Sequence, residues 1–184
     1  MKIMVVNMTN GTDMSVTLMA DSTLLRSGQP FFIPDFAPHF AAMPMLMLRV
    51  GRLGKCIAPR FAHRYIDAMT ASFAIVPLDH DMQPMSLAGM ASVMDGATVY
   101  GSWIDYEPLQ SFVWTLGDQE HTLLPQDFMP EASAAIEHIS RHATIKMGDV
   151  ICLGATASQP QPLHIDDLLT ASVNGQPILR NKIK

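Results

Sequence analysis

Residues 41–55 read AAMPMLMLRVGRLGK, and in them Met43, Met45 and Met47 alternate with Pro44, Leu46 and Leu48. Side chains two apart on a strand point to the same face, so the run MLMLRV reads as a strand carrying its thioethers together on one side. GRLGK reads as a glycine turn leaving that strand. Thioethers select Cu(I), so an MxMxM strand raises the question of a soft-metal site. Consecutive same-face residues on a flat strand diverge, however, and wrapping one ion with them requires bending or further ligands. Core or pocket lining is the better account, since burying each Met side chain contributes about 1.5–3 kcal/mol.

Proline and glycine divide the rest of the chain into short elements. Lys2 to Val6 reads as a strand followed by a polar turn, and SGQPFFIPDFAPHF, with three prolines, reads as extended or turned. Pro59 suits a first helical position, and Phe61, Tyr65, Ile66 and Met69 follow at close to helical spacing. SFAIVPL reads as a buried strand. Two strands are expected around Gly117-Asp118, and a helix over Glu131 to His142, with Ala134, Ala135, Ile136 and Ile139 on its apolar side. Asn174-Gly175 between apolar runs signals a hairpin, and Pro177 just after it argues for an edge strand. Many short strands with two short helices give an α+β, mainly β fold, read as one domain over residues 1–184.

Composition narrows the function classes. The 184 residues are 48% hydrophobic and 16% charged, ample for a sizeable core. The formal net charge is -5, and no cluster of basic residues alternating with aromatics stands out, which argues against nucleic acid as a partner. The N-terminal apolar stretch turns polar at Asn7, too short for a signal peptide or a membrane span, so a cytoplasmic protein without membrane association is expected. Cys56 and Cys152 lie far apart without a CxxC and read as two buried free thiols. The 15 methionines are spread along the chain and suit a core or pocket under loose constraint.

Catalytic motifs are sparse. His138 and His142 share a helical face but lack the glutamate of an HExxH zinc motif, and a favourable interaction with the helix C-terminus accounts for them. There is no GxSxG, GxxxxGK[ST] or GxGxxG pattern. Asp166-Asp167 reads as a turn cap. Asp79-His80-Asp81 could ligate a cation, but its flanking Pro77 and Pro84 fit a surface loop.

Several segments together resemble the fumarylacetoacetate hydrolase family: DSTLLRSGQPFFIPDF, LRVGRLGKCI, AHRYIDAMTASFAIV, DGATVYGSWI, MGDVICLGATAS and NGQPILRNKI, in order over nearly the whole chain. The resemblance implies a mixed β-sandwich roll, usually a homodimer. It also implies Mg²⁺ or Mn²⁺ held by a Glu-x-Glu pair and a later Asp, acting on keto acids by C–C hydrolysis, decarboxylation or isomerisation. The Glu-x-Glu positions fall on Met43 and Met45, the metal Asp on Ala74, a lysine near Ser92, and a threonine on Ala155. The N-terminal segment that in many members supplies a catalytic His and Glu is here NMTNGTDMSV, with neither.

Magnesium needs carboxylate charge to hold it; Met is a soft neutral ligand and Ala is none. The replacements agree with one another, because a buried carboxylate without its cation is a costly unpaired charge. The expectation is therefore a non-catalytic member without cofactor or metal. It is expected to dimerise and to have room for a small apolar or keto-acid ligand. The alternative is an enzyme that handles a keto acid with Asp79, His80, Asp81 or Asp95.

Overall fold

The computed structural model describes residues 1–9, 13–85, 92–107, 109–154 and 160–184. The methionine-rich segment is the middle of β4 (His39–Val50), a 12-residue strand buried along most of its length. It pairs antiparallel with β5 (Ile66–Leu78) from end to end, His39 opposite Leu78 and Val50 opposite Ile66. These two long strands are the spine of a nine-stranded mixed sheet.

On one side of the spine β10 (Val150–Gly154) pairs with β4, and β1 (Ile3–Thr9) runs parallel to β10 and antiparallel to β2 (Asp13–Met19). On the other side β6 (Thr98–Tyr100) pairs with β5, and β3 (Leu24–Arg26) runs parallel to β6. Two short strands, β7 (Ile104–Asp105) and β11 (Gln161–Pro162), join β5 and β4 respectively. A second, four-stranded sheet has the order β13 (Gln176–Lys182), β12 (Leu168–Val173), β8 (Phe112–Leu116), β9 (Gln119–Leu123). This is the mainly β, mixed-sheet architecture that the sequence implies.

Alternation along β4 and β5 sorts the core in two. Leu46, Leu48, Val50, Met69, Ala71 and Phe73 enter the large core shared with the second sheet and the helix α1 (Pro125–His142). Trp114 ties the two sheets together by donating its indole N–H to the Ser72 carbonyl at 3.0 Å. Met45 and Met47 face the other way, into a smaller cluster with Ile3, Val150 and Cys152. Burial raises the Cys152 thiol to about 12, so it packs as a small apolar group.

Several local expectations change. Cys56 is exposed, not buried; it lies in a bend with φ 51°, outside the strands that carry residues into the core. The segment after Pro59 forms a 3₁₀ helix that ends at Tyr65. From Ile66 onward the ladder with β4 outweighs the helical spacing of the side chains. The α-helix starts at Pro125, six residues before Glu131, because Pro125 suits the first turn and Pro130 lies near enough to the start to be tolerated. The Asn174-Gly175 hairpin is present, with φ 47° and 80° at its two turn residues, and β13 with Pro177 is an edge strand.

Candidate functional site

The sheet face that carries Met43 and Met45 can be read from strand register. Met43 stands opposite Ala74, and Met45 opposite Ser72 on β5 and Gly154 on β10. Ala74 is in turn opposite Thr98 on β6. Directly opposed residues share a face, so these side chains form one wall. That wall opens into a cavity of about 210 Å³ lined by Met43, Met45, Ala74, Ser92, Thr98 and Gly154, with Val5, Asn7, Thr17 and Met19 from the β1–β2 hairpin. Ser92 is far from β4 in sequence and is brought in because its carbonyl accepts the Ala20 backbone N–H at 2.8 Å, just beyond β2.

Four of the five positions singled out in the sequence, Met43, Met45, Ala74 and Ser92, therefore share one cavity. The fifth, Ala155, lies outside the described residues, next to Gly154. Met45 is buried and Met43 and Ala74 are half-buried. Two hydroxyls on this face, Ser72 Oγ and Thr98 Oγ1, are buried with no hydrogen-bond partner among the described residues.

The acidic candidates are elsewhere. Asp79 Oδ1 accepts the backbone N–H groups of Asp81 and Gln83, each at 2.9 Å, which commits it to closing an exposed turn. Among the described residues lining the cavity there is no Asp79, His80, Asp81 or Asp95. Asp167 accepts the His164 N–H at 2.7 Å and Asp166 pairs with Lys182 at 2.7 Å, both turn roles. His138 and His142 lie near one another at the exposed end of α1, their ring centroids 4.9 Å apart and the rings tilted by 45°, with His142 Nδ1 3.0 Å from the His138 carbonyl. Among the described residues, no three His, Cys, Asp or Glu side chains come together as a metal site.

One grouping escaped the sequence reading. Arg60 and Arg64 lie over the Phe61 ring at 4.7 and 5.0 Å, and Arg52, Leu53 and Tyr65 complete a surface groove with Phe61 and Arg64. Basic and aromatic residues do alternate between 52 and 65. The signal is local, and the chain's overall acidic balance of 17 Asp and Glu to 12 Lys and Arg conceals it.

Residues 7–184 match the family profile described as fumarylacetoacetate (FAA) hydrolase C-terminal. The chain belongs to the fumarylacetoacetate hydrolase family. Its fold is similar to that of 2-hydroxyhepta-2,4-diene-1,7-dioate isomerase from Mycobacterium marinum, with a TM-score of 0.81 and 19% identity over 99% of this chain and 73% of that one. It is also similar to 5-carboxymethyl-2-hydroxymuconate delta-isomerase from Mycobacterium smegmatis, with a TM-score of 0.76 and 20% identity over 99% and 78% of the two chains. Fumarylpyruvate hydrolase from Pseudomonas aeruginosa, solved with Mn²⁺ and pyruvate, gives a TM-score of 0.76 and 10% identity over 100% and 89%. Comparison with curated protein sequences finds no match.

The resemblance read from the sequence puts a hard divalent cation at the positions of Met43, Met45 and Ala74. The residues present do not fit one. Two thioethers and a methyl group offer no oxygen, and Mg²⁺ or Mn²⁺ at an oxygen site requires carboxylate or carbonyl ligands to replace its water. No helix among the described residues is long and apolar enough to cross a membrane.

Proposed function

We propose that this chain is a metal-free, non-catalytic member of the fumarylacetoacetate hydrolase family whose former cation site serves as an apolar ligand pocket. The observation that carries this reading is the shared cavity of Met43, Met45 and Ala74. These are the positions at which the resemblance puts the metal carboxylates, and because all three line one cavity the reading requires the loss of a single site rather than of three unrelated surface points. Fold neighbours include proteins named as isomerases and hydrolases, but fold alone does not transfer an activity. The rest of the reading is a homodimer in the cytoplasm that binds a small molecule or modulates an active relative.

The test is elemental analysis of protein purified without chelator, followed by titration with Mn²⁺ and assay with an acylpyruvate and with oxaloacetate. Expected are no stoichiometric Mg, Mn, Ca or Zn, no saturable Mn²⁺ binding, and no turnover above background. Tight Mn²⁺ binding overturns the reading. So does turnover abolished by Asp79→Ala or His80→Ala, which would establish keto-acid chemistry by non-standard residues. Light scattering on the same sample reads the oligomeric state.

A further inference from the structure

The cavity's wall is thioether and aliphatic on Met19, Met43, Met45 and Ala74, and the described residues that line it include no Asp, Glu, His, Lys or Arg. A carboxylate entering such a wall gives up hydration and meets no cation, guanidinium or ammonium in return. A neutral molecule meets no such penalty. The polar groups that the wall does offer are uncharged, and of its two hydroxyls unpartnered among the described residues, Ser72 and Thr98, only Thr98 belongs to a residue that lines the cavity. Thr98 is 1% exposed, stands opposite Ala74 on the cavity face, and its hydroxyl has no hydrogen-bond partner among the described residues. A buried hydroxyl left unpaired is costly; this one is closed off within the protein, so a ligand oxygen relieves that cost once the Thr98 side chain turns toward the cavity.

Size narrows the occupant further. An apolar cavity of about 150 Å³ admits benzene, and drug-sized ligands occupy pockets of about 300 Å³ and upward. The 210 Å³ here lies between them. We propose that this cavity binds a small uncharged molecule of the ketone or ester class, roughly eight to ten non-hydrogen atoms in size, with its apolar part among Met19, Met43 and Met45 and its oxygen on the Thr98 hydroxyl. The proposal rests on the metal-free reading above and separates it from the keto acids that the family fold would suggest.

A matched pair of probes tests it: 2-heptanone, and 2-oxoheptanoate, which carries a carboxylate on a comparable chain. Both are titrated into the full chain in EDTA by calorimetry, with ¹³C-methyl methionine spectra recorded alongside. The ketone is expected to shift the Met19, Met43 and Met45 signals and to bind at least about tenfold more tightly than the keto acid. Thr98→Val is expected to weaken ketone binding about tenfold, and Thr98→Ser to restore it. Equal or tighter keto-acid binding in EDTA overturns the neutral-ligand proposal while leaving the metal-free reading intact. Keto-acid binding that appears only after Mn²⁺ is added overturns the metal-free reading itself. Failure of the ketone to move the methionine signals up to its solubility limit overturns the proposal, and unchanged affinity in a folded Thr98→Val overturns the assignment of Thr98.

Discussion

Met43 and Ala74 face each other across the β4–β5 ladder, and both side chains line the same cavity. A pairing of this kind is what a chelating site needs, because two strands held in register fix two ligands at a set separation. Here the register sets a thioether opposite a methyl group, and neither is a ligand for a hard cation.

The register can be used to build such a site. In Met43→Glu/Met45→Glu/Ala74→Asp, three carboxylates would crowd one apolar wall, and the protein in EDTA should melt well below the parent. Mn²⁺ should then rescue it. At about 100 times its Kd a ligand adds about 2.7 kcal/mol, or about 5–10 °C in a domain of this size. The parent chain should show no such response. A thermal melt with and without Mn²⁺ reads both, and a parent that gains several degrees contradicts the metal-free reading.

The same wall contains structural methionines, and a truncation series separates them from the cavity. Met47 is fully buried against Cys152 and Val150, whereas Met43 is half-buried at the cavity. Met47→Ala should cost about 2–5 kcal/mol in urea unfolding, and Met43→Ala on the order of 1 kcal/mol. Comparable losses at both positions would mean that Met43 is core and the cavity is incidental.

What the sequence made legible follows from these residues. Alternation over Met43 to Leu48 identified the strand, and family resemblance placed Met43, Met45, Ala74 and Ser92 at one site, which the fold brings together. Periodicity could not locate Thr98, because a lone Thr in a three-residue strand has no pattern around it. It becomes visible only when register sets it opposite Ala74. The helical spacing of Phe61 to Met69 misled because those side chains answer to two environments, a 3₁₀ turn up to Tyr65 and a twelve-residue partner strand from Ile66. Composition likewise does not mark the exposed bend in which Cys56 sits.

Asp149, from the MGDV segment, has a structural role. Its carboxylate is 4% exposed, accepts the backbone N–H groups of Lys2 and Lys146 at 2.8 and 2.9 Å, and pairs with the Lys2 ammonium. It thereby anchors the start of β1 against β10. Burial pushes its pKa up, but the Lys2 side-chain hydrogen bond, the two backbone donors and the Lys2 charge outweigh that and hold it below the ordinary carboxylate range. Asp149→Ala should cost about 2–4 kcal/mol at pH 7. Because the folded pKa is the lower one, this stabilisation is present above about pH 4 and is lost as pH falls through the folded value. Urea melts of parent and variant should therefore converge in acid; a constant gap would assign the loss to packing.

Glu131 runs in the opposite sense. It lies on α1 with Oε1 buried and unpartnered among the described residues, and burial raises its pKa from 4.5 to about 7. The folded protein holds this proton more tightly than the unfolded chain, so the contribution to stability is full below pH 4.5 and disappears as pH rises through about 7. Above that point the native state carries a charge that it solvates poorly. Glu131→Gln removes the charge and retains the shape. With the group's partial exposure discounted, the variant should be more stable than the parent by on the order of 1 kcal/mol at pH 8, with the gap closing towards pH 5. Measuring urea midpoints of both proteins across that range tests the sign directly. A parent that is the more stable of the two at pH 8 would require a cation beside Glu131 that neutralises it.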